Sequence, residues 1–383
     1  MPFIEYAEFD AIGLAELVRN KEVQPSELLE ESIRRIEAFN PAINAVVYKA
    51  YDMARAVAAQ QDKAAPSGPL HGVPFLLKDI LGDCQGMPSA LSSRMLRERM
   101  MQQDCELVSR FRKAGLNFVG KSNTPEFGIL PTTECAYYGP ARNPWNLDYS
   151  TGGSSGGAAA AVASGMVPAA HGNDGGGSIR IPASCCGLVG LKPTRARNSL
   201  APDFGELLSG LLDEHVLTRT VRDSAALLDA TVGAEPGSPF LSPPPARPFL
   251  KEVGAPPGKL RIALVVEPYG GTPLDPECRK AVMDAAKLCE SLGHKVEEVK
   301  LPIDNAAMRE AFLAIINVSI ARVLDDAAKV LGRPVTEKDV EVVTWGMAQQ
   351  GKAVGSIAYS RAIATSHQVG LQMARFQQTY DVI

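Results

Sequence analysis

HGNDGGGSIRIPASCCGLVGLKPT, residues 171–194, sets a serine, Ser178, at the end of three successive glycines, Gly175, Gly176 and Gly177. Two other stretches belong with it: GGSSGG at residues 152–157, and VPFLLKD at residues 73–79, which carries Lys78. A serine hydroxyl is a weak nucleophile, so it needs a nearby base and an anion site for a tetrahedral intermediate. Glycines leave the backbone free to turn its N–H groups inward, because no Cβ obstructs the approach or forbids positive φ. An oxyanion hole made by the amides of Gly175, Gly176, Gly177 and Ser178 is therefore expected. Losing one such donor costs roughly 2.7–4 kcal/mol of transition-state stabilisation. Taken alone GGGS would read as a surface turn; embedded in this string it does not.

The order and spacing of a lysine, then GGSSGG, then G-x-D-x-GGS-[IL]-R-x-P-A resemble the amidase signature family over roughly residues 10–383. The resemblance implies a hydrolase of amides that uses serines and a lysine and no histidine, with Ser178 as nucleophile. It places a second serine, Ser154, as proton relay and Lys78 behind it as base. A free lysine has a pKa of about 10.4 and is protonated at neutral pH. Lys78 follows the apolar run 73–77, so it is expected to end a buried strand, where desolvation lowers a lysine's pKa. A neutral amine would accept the proton of Ser154 while Ser154 takes that of Ser178. The bland alternative, a solvated Lys78–Asp79 ion pair, is set aside on the match at VPFLLKD. The resemblance further implies a cis Gly153–Ser154 peptide, with the Ser154 hydroxyl in reach of both Lys78 and Ser178. Asp174 and Arg180 match positions expected to fix the loop, with Ser155 as a further supporting residue. The string GNDGGGSIRIPAS is most similar to the branch that includes cyclic-nylon-oligomer hydrolases and carbamate-cleaving amidases. Relatives of the common amidase type carry Thr or Ile where this chain has Gly175, so room for a bulkier or cyclic amide is expected there.

Other glycine motifs fare less well. Residues 152–156 match the G-x-S-x-G nucleophile elbow, and the alanine-rich stretch after them suits the required helix. The elbow also needs a preceding strand, and ARNPWNLDYST reads as loop because Asn143, Pro144, Asn146 and Asp148 punctuate it. Residues 172–177 have P-loop spacing, but Ser178 and Ile179 stand where Lys and Ser/Thr belong. Nucleotide binding is unsupported.

The surrounding sequence reads as α/β. Asp10 is placed to cap a first helix, and Pro25 opens a second in which Leu29, Ile33 and Ile36 fall at helical spacing. Strands are expected at 73–77, 116–119, 167–170 and 189–191, alternating with helices at 106–114, 158–164 and 221–232. This alternation predicts a buried, mainly parallel sheet covered by helices, and the resemblance implies an α/β/α sandwich around a twisted mixed sheet. Residues 1–65 are expected to form a helical segment packed on the core, 66–235 the catalytic core, and 236–383 a second α/β part of the same domain. In that last part strands at 260–265 and 295–299 flank a helix at 276–292, and the resemblance implies that they join the same sheet. The Pro/Gly-rich stretch 236–259 is then a long surface loop. Relatives run on past the TYDVI stretch, so the expectation is a chain lacking the family's C-terminal portion.

With 383 residues, 45% hydrophobic and 21% charged, the chain can bury one large core or two smaller ones. A net charge of −4 offers no electrostatic case for nucleic acid or an anionic membrane. No apolar run approaches the length of a membrane span, and the acidic start lacks a signal peptide's basic region. Seven cysteines without C-x-x-C spacing favour reduced thiols and a cytoplasmic setting. The five scattered histidines form no metal-ligand cluster and are read as structural or solvated. The expected function is hydrolysis of a carboxylic amide, with esters and carbamates open to the same acyl-enzyme route. No metal or organic cofactor is expected. The partner is a small-molecule amide, and a homodimer is left open. The competing readings are the amidase-type subunit of a tRNA-dependent glutamine amidotransferase and a catalytically dead binding protein. The intact Lys78, Ser154 and Ser178 disfavour the latter. The substrate pocket is expected from residues 87–101, 123–138 and 204–212 and the segment after Ala306.

Overall fold

The computed structural model describes residues 3–268 and 272–383. Six strands form one sheet in the order Val46–Lys49, Asn117–Ser122, Pro74–Lys78, Ala169–Asp174, Asp213–Thr218, Val189–Gly190. Four of them run one way, while Val46–Lys49 and Asp213–Thr218 run the other. The architecture is thus α/β around a mixed, mainly parallel sheet. Pro74–Lys78, Asn117–Ser122 and Ala169–Asp174 are buried along their whole lengths, as central strands covered on both faces must be.

Side chains alternate between the faces of a strand, and the two cores divide accordingly. Leu76, Val119, Ala170 and Leu217 pack on one face with Ala158–Val162 and with Leu29, Ile33 and Ile36 of the helix Pro25–Ile43. Phe75, Leu77, Phe118 and Val216 pack on the other with Leu14, Leu107, Phe111 and Leu227, which come from helices Ala11–Arg19, Glu106–Lys113 and Val221–Thr231. Lys78, two residues after Leu76, shares the face of the alanine-rich helix Gly156–Ala163. That helix is apolar all round because it is buried all round. Local signals set the helix starts. Asp10 accepts from Gly13 N at 2.9 Å, and Gln24 with Glu27 forms a capping box ahead of Pro25.

Each strand expected in residues 66–235 is present within a few residues of its expected position, but Val46–Lys49 and Asp213–Thr218 were not foreseen. The later strands differ more. Arg261–Leu264 and Lys295–Glu298 pair parallel with each other, with Val382 beside Ile262, in a small sheet of their own instead of extending the six-stranded one. The chain divides into two compact units, one of residues 1–253 with 336–344, the other of residues 254–335 with 345–383. The division falls inside the Pro/Gly-rich stretch expected to be a loop within one domain. The segment after Ala306 is the helix Asn305–Leu331 of the second unit. Among the described residues no helix is long and apolar enough to cross a membrane.

Candidate active site

Lys78 and Asp174 end neighbouring strands of the sheet at their carboxyl ends, where open α/β sheets place their ligands. Lys78 is wholly buried. Its Nζ lies 2.6 Å from Ser154 Oγ and donates to Asn173 Oδ1 at 2.7 Å. Burial pushes the amine down to about 7, against the opposing pull of Glu214 and Asp174. Near neutrality it can therefore hold a lone pair toward the Ser154 hydroxyl while one N–H stays on Asn173. Asp79 is not its ion-pair partner. The Asp79 carboxylate accepts from the amides of Ala90 and Ser92 at 3.1 and 3.0 Å, and burial raises it to about 6.

Ser154 is presented by GGSSGG, and the glycines are there because neighbouring groups come too close for a side chain. A Cβ on Gly153 would sit 2.4 Å from the Thr132 carbonyl oxygen, and one on Gly157 2.3 Å from Asn123 N. Gly156 N donates to Thr133 Oγ1, which itself donates to the Gly152 carbonyl. The Gly153–Ser154 peptide is cis. Gly128, with φ +69°, lies against Ser154 Oγ, which brings residues 123–138 to the site as expected. A strand, Asn146–Ser150, does precede GGSSGG, correcting its reading as loop. It pairs only with Arg142–Asn143 in an exposed two-stranded ribbon outside the central sheet, so the elbow architecture is still not met.

Ser155 N donates to the Ser178 carbonyl at 3.1 Å, tying the two serine loops together. The Asp174 carboxylate organises the nucleophile turn. It accepts from the amides of Gly177, Ile179 and Arg180 at 2.7, 3.2 and 3.3 Å and from the Arg180 guanidinium at 2.8 and 2.9 Å. Burial would raise this carboxyl, but Arg180 and the amides of Gly177 and Ile179 outweigh it and hold it below the usual carboxylate range. One expectation changes as a result. The Gly177 N–H is committed to Asp174, whereas the amides of Gly175, Gly176 and Ser178 have no acceptor among the described residues. The expected hydrogen bond between Ser154 and Ser178 is not formed either; among the described residues the Ser178 hydroxyl has no partner, and catalytic contacts often tighten only once substrate is bound. The space beside Gly175 is also not open. A Cβ there would meet Leu208 Cδ1 at 2.6 Å and Leu212 Cβ at 3.6 Å.

Three residues that touch this network were not singled out from the sequence. Asn173 lies within the motif string, one position before Asp174, and its place was the available signal. His171 opens the string but was read as structural or solvated. Glu214 had no local signal, since its strand was not recognised. A cavity of about 210 Å³ adjoins the turn through Leu212; Arg195, Glu206 and Glu235 line it together with Leu200, Phe204 and Phe240, and it contains none of Lys78, Ser154 or Ser178.

Comparison with known proteins identifies the family. The amidase family model matches residues 27–383. A 6-aminohexanoate-cyclic-dimer hydrolase from Pseudomonas sp. (strain NK87) is 41% identical over 360 residues, covering 92% of this chain and 72% of that protein. A solved 6-aminohexanoate cyclic dimer hydrolase superposes with a TM-score of 0.90 at 39% identity, covering 98% of this chain and 78% of that one. A bacterial aryl acylamidase of the amidase signature family also superposes with a TM-score of 0.90, at 31% identity, covering 97% and 78%. The chain belongs to the amidase family and is an amide hydrolase.

Proposed function

We propose that the chain hydrolyses hydrophobic carboxylic amides, cyclic amides and anilides among them, through an acyl-enzyme on Ser178. The observation that carries the mechanism is a buried lysine of lowered pKa 2.6 Å from the Ser154 hydroxyl, with Ser155 N bonded to the Ser178 carbonyl. Ser154 passes its proton to Lys78 and takes that of Ser178 as Ser178 Oγ bonds to the carbonyl carbon. The oxyanion is held by the free amides of Gly175, Gly176 and Ser178. The C–N bond then breaks as the proton returns from Lys78 through Ser154 to the leaving nitrogen. Water repeats the sequence to release the acid. Asp174 and Arg180 hold the turn, and Ser155 couples it to the relay loop.

The substrate class rests on the named relatives, which act on a cyclic amide dimer and on aryl acylamides. All seven cysteines are free thiols, which supports a reducing, cytoplasmic setting. The test is turnover by the purified chain of a panel holding a cyclic amide dimer, an anilide, a carbamate, an aliphatic amide and glutamine. Hydrolysis of the hydrophobic members by the chain alone is expected. Turnover confined to glutamine and dependent on a partner subunit would favour the amidotransferase reading instead.

A further inference from the structure

His171 is fully buried beneath the lysine's backbone, its ring edge-on to Phe111 at 6.1 Å between centroids. Its Nδ1 accepts the backbone N–H of Lys78 at 3.2 Å. A ring nitrogen that accepts an N–H carries no hydrogen of its own, so the imidazole hydrogen sits on Nε2. Nε2 is in contact with Glu214 Oε2 and donates to it. The other carboxylate oxygen, Glu214 Oε1, is buried with no hydrogen-bond partner among the described residues. A buried carboxylate with a single hydrogen bond is costly unless a positive charge nearby offsets it.

The charged groups around this carboxylate narrow the source of that offset. Asp213 precedes it, and Asp83, Asp203 and Cys105 line the small cavity beside it; these are acidic or neutral. Around the lysine, Asp79 on its own strand is turned to the amides of Ala90 and Ser92. Lys121 on the adjacent strand is bonded to the Gly82 carbonyl, Asp174 is paired with Arg180, and Asn173 and Ser154 are uncharged. His215, next on the strand, is bonded to Ser224 and Lys192 to the Pro193 carbonyl, so among the described residues Lys78 is the cation left to answer the Glu214 charge.

We infer that Glu214, coupled to the lysine's backbone through His171, is a positioning residue that supplies the counter-charge for Lys78 when it holds the relayed proton. The inference rests on the reading of Lys78 as the base. It gives the chain a third layer behind the serines: the lysine takes the proton, the histidine fixes where the lysine sits, and the carboxylate stabilises the ammonium formed in each half-reaction. Of the charges that oppose the lowering of the lysine's pKa by burial, Glu214 is the largest, ahead of Asp174.

The test is the pH profile of kcat/KM and kcat for the wild type and Glu214→Gln, with thermal midpoints to confirm folding. Removing the negative charge disfavours the ammonium, so the acidic limb of kcat/KM should move down by about one pH unit. The plateau kcat should fall by up to about tenfold, because a weaker base removes the proton less readily. A folded Glu214→Gln enzyme whose acidic limb stays in place overturns the inference, whatever its plateau rate. If Glu214→Gln does not fold, Glu214→Asp withdraws the charge by one methylene; a smaller downward shift is expected, and an unmoved limb again overturns the inference. Lys78→Ala separates the two readings. Near wild-type turnover in that variant would remove Lys78 as the base, whereas its loss of turnover together with an unmoved Glu214→Gln limb would remove only the role of Glu214.

Discussion

At the scale of single residues, a lysine serves as a base near neutrality only where its ammonium is hard to hold, and burial creates that condition at Lys78. Its folded pKa of about 7 sets a direct expectation. Below that pH the amine is protonated and cannot accept the Ser154 proton, so kcat/KM should rise with pH through about 7 and then level. A pH-rate profile limited only by a group titrating near 4 would contradict this. Asn173 offers a test of opposite sign to the removal of Glu214. Its Oδ1 lies 2.7 Å from the amine, so Asn173→Asp places a carboxylate there and favours the ammonium. The acidic limb should then move up, read in the same profile. Lys78, Ser154 and Ser178 were legible as a candidate set through the resemblance of their motifs. Asn173 and Glu214 were not, because what they do depends on which side chains the sheet brings together.

At the scale of elements, the glycines around the serines mark close approaches that leave no room for a methyl group. The Cβ of Gly157→Ala would press on backbone, 2.3 Å from Asn123 N, and overpacking of this kind costs about 1–3 kcal/mol. Urea denaturation should show that loss. Gly370, inside the helix Ser356–Phe376, has nothing within 4 Å of its Cβ position, so Gly370→Ala should raise stability by about 0.5–1 kcal/mol in the same measurement. Gly175→Thr should impair every substrate, large and small alike, because the added side chain meets Leu208 and not an empty pocket. Rates measured on a small aliphatic amide and a bulky anilide check this, and selective loss of the bulky one would restore the original expectation of room for substrate. Pro74–Lys78 could be read from its apolar run. Asp213–Thr218 could not, because DEHVLT begins with two carboxylates and a histidine, and the groups that meet this buried strand, His171 at the Glu214 carboxylate, Ser224 at the His215 ring and Asn198 at the Glu214 carbonyl, arrive from elsewhere in the chain. The later strands were legible as strands, but sheet membership is set by pairing partners that no local pattern encodes.

At the scale of the whole molecule, the first of the chain's crossings between its two compact units falls within residues 236–259, where Gly254 and Gly258 have positive φ and open space at their Cβ positions. Exposed segments of this kind are preferred sites of proteolytic nicking. Brief digestion should cut within 236–259 first, and mass spectrometry of the fragments identifies the site; initial cuts inside residues 152–190 would contradict the burial of the catalytic loops. The family assignment and the fold both meet at one chemical claim, that Ser178 is the nucleophile and Ser154 its relay. It is tested most directly by labelling the intact protein with a serine-directed fluorophosphonate at pH 8 and mapping the adduct by peptide mass spectrometry. A single adduct on Ser178, absent from Ser178→Ala and much slower to form in Lys78→Ala, is the expected result; an adduct on Ser154 with Ser178 unmodified would contradict it.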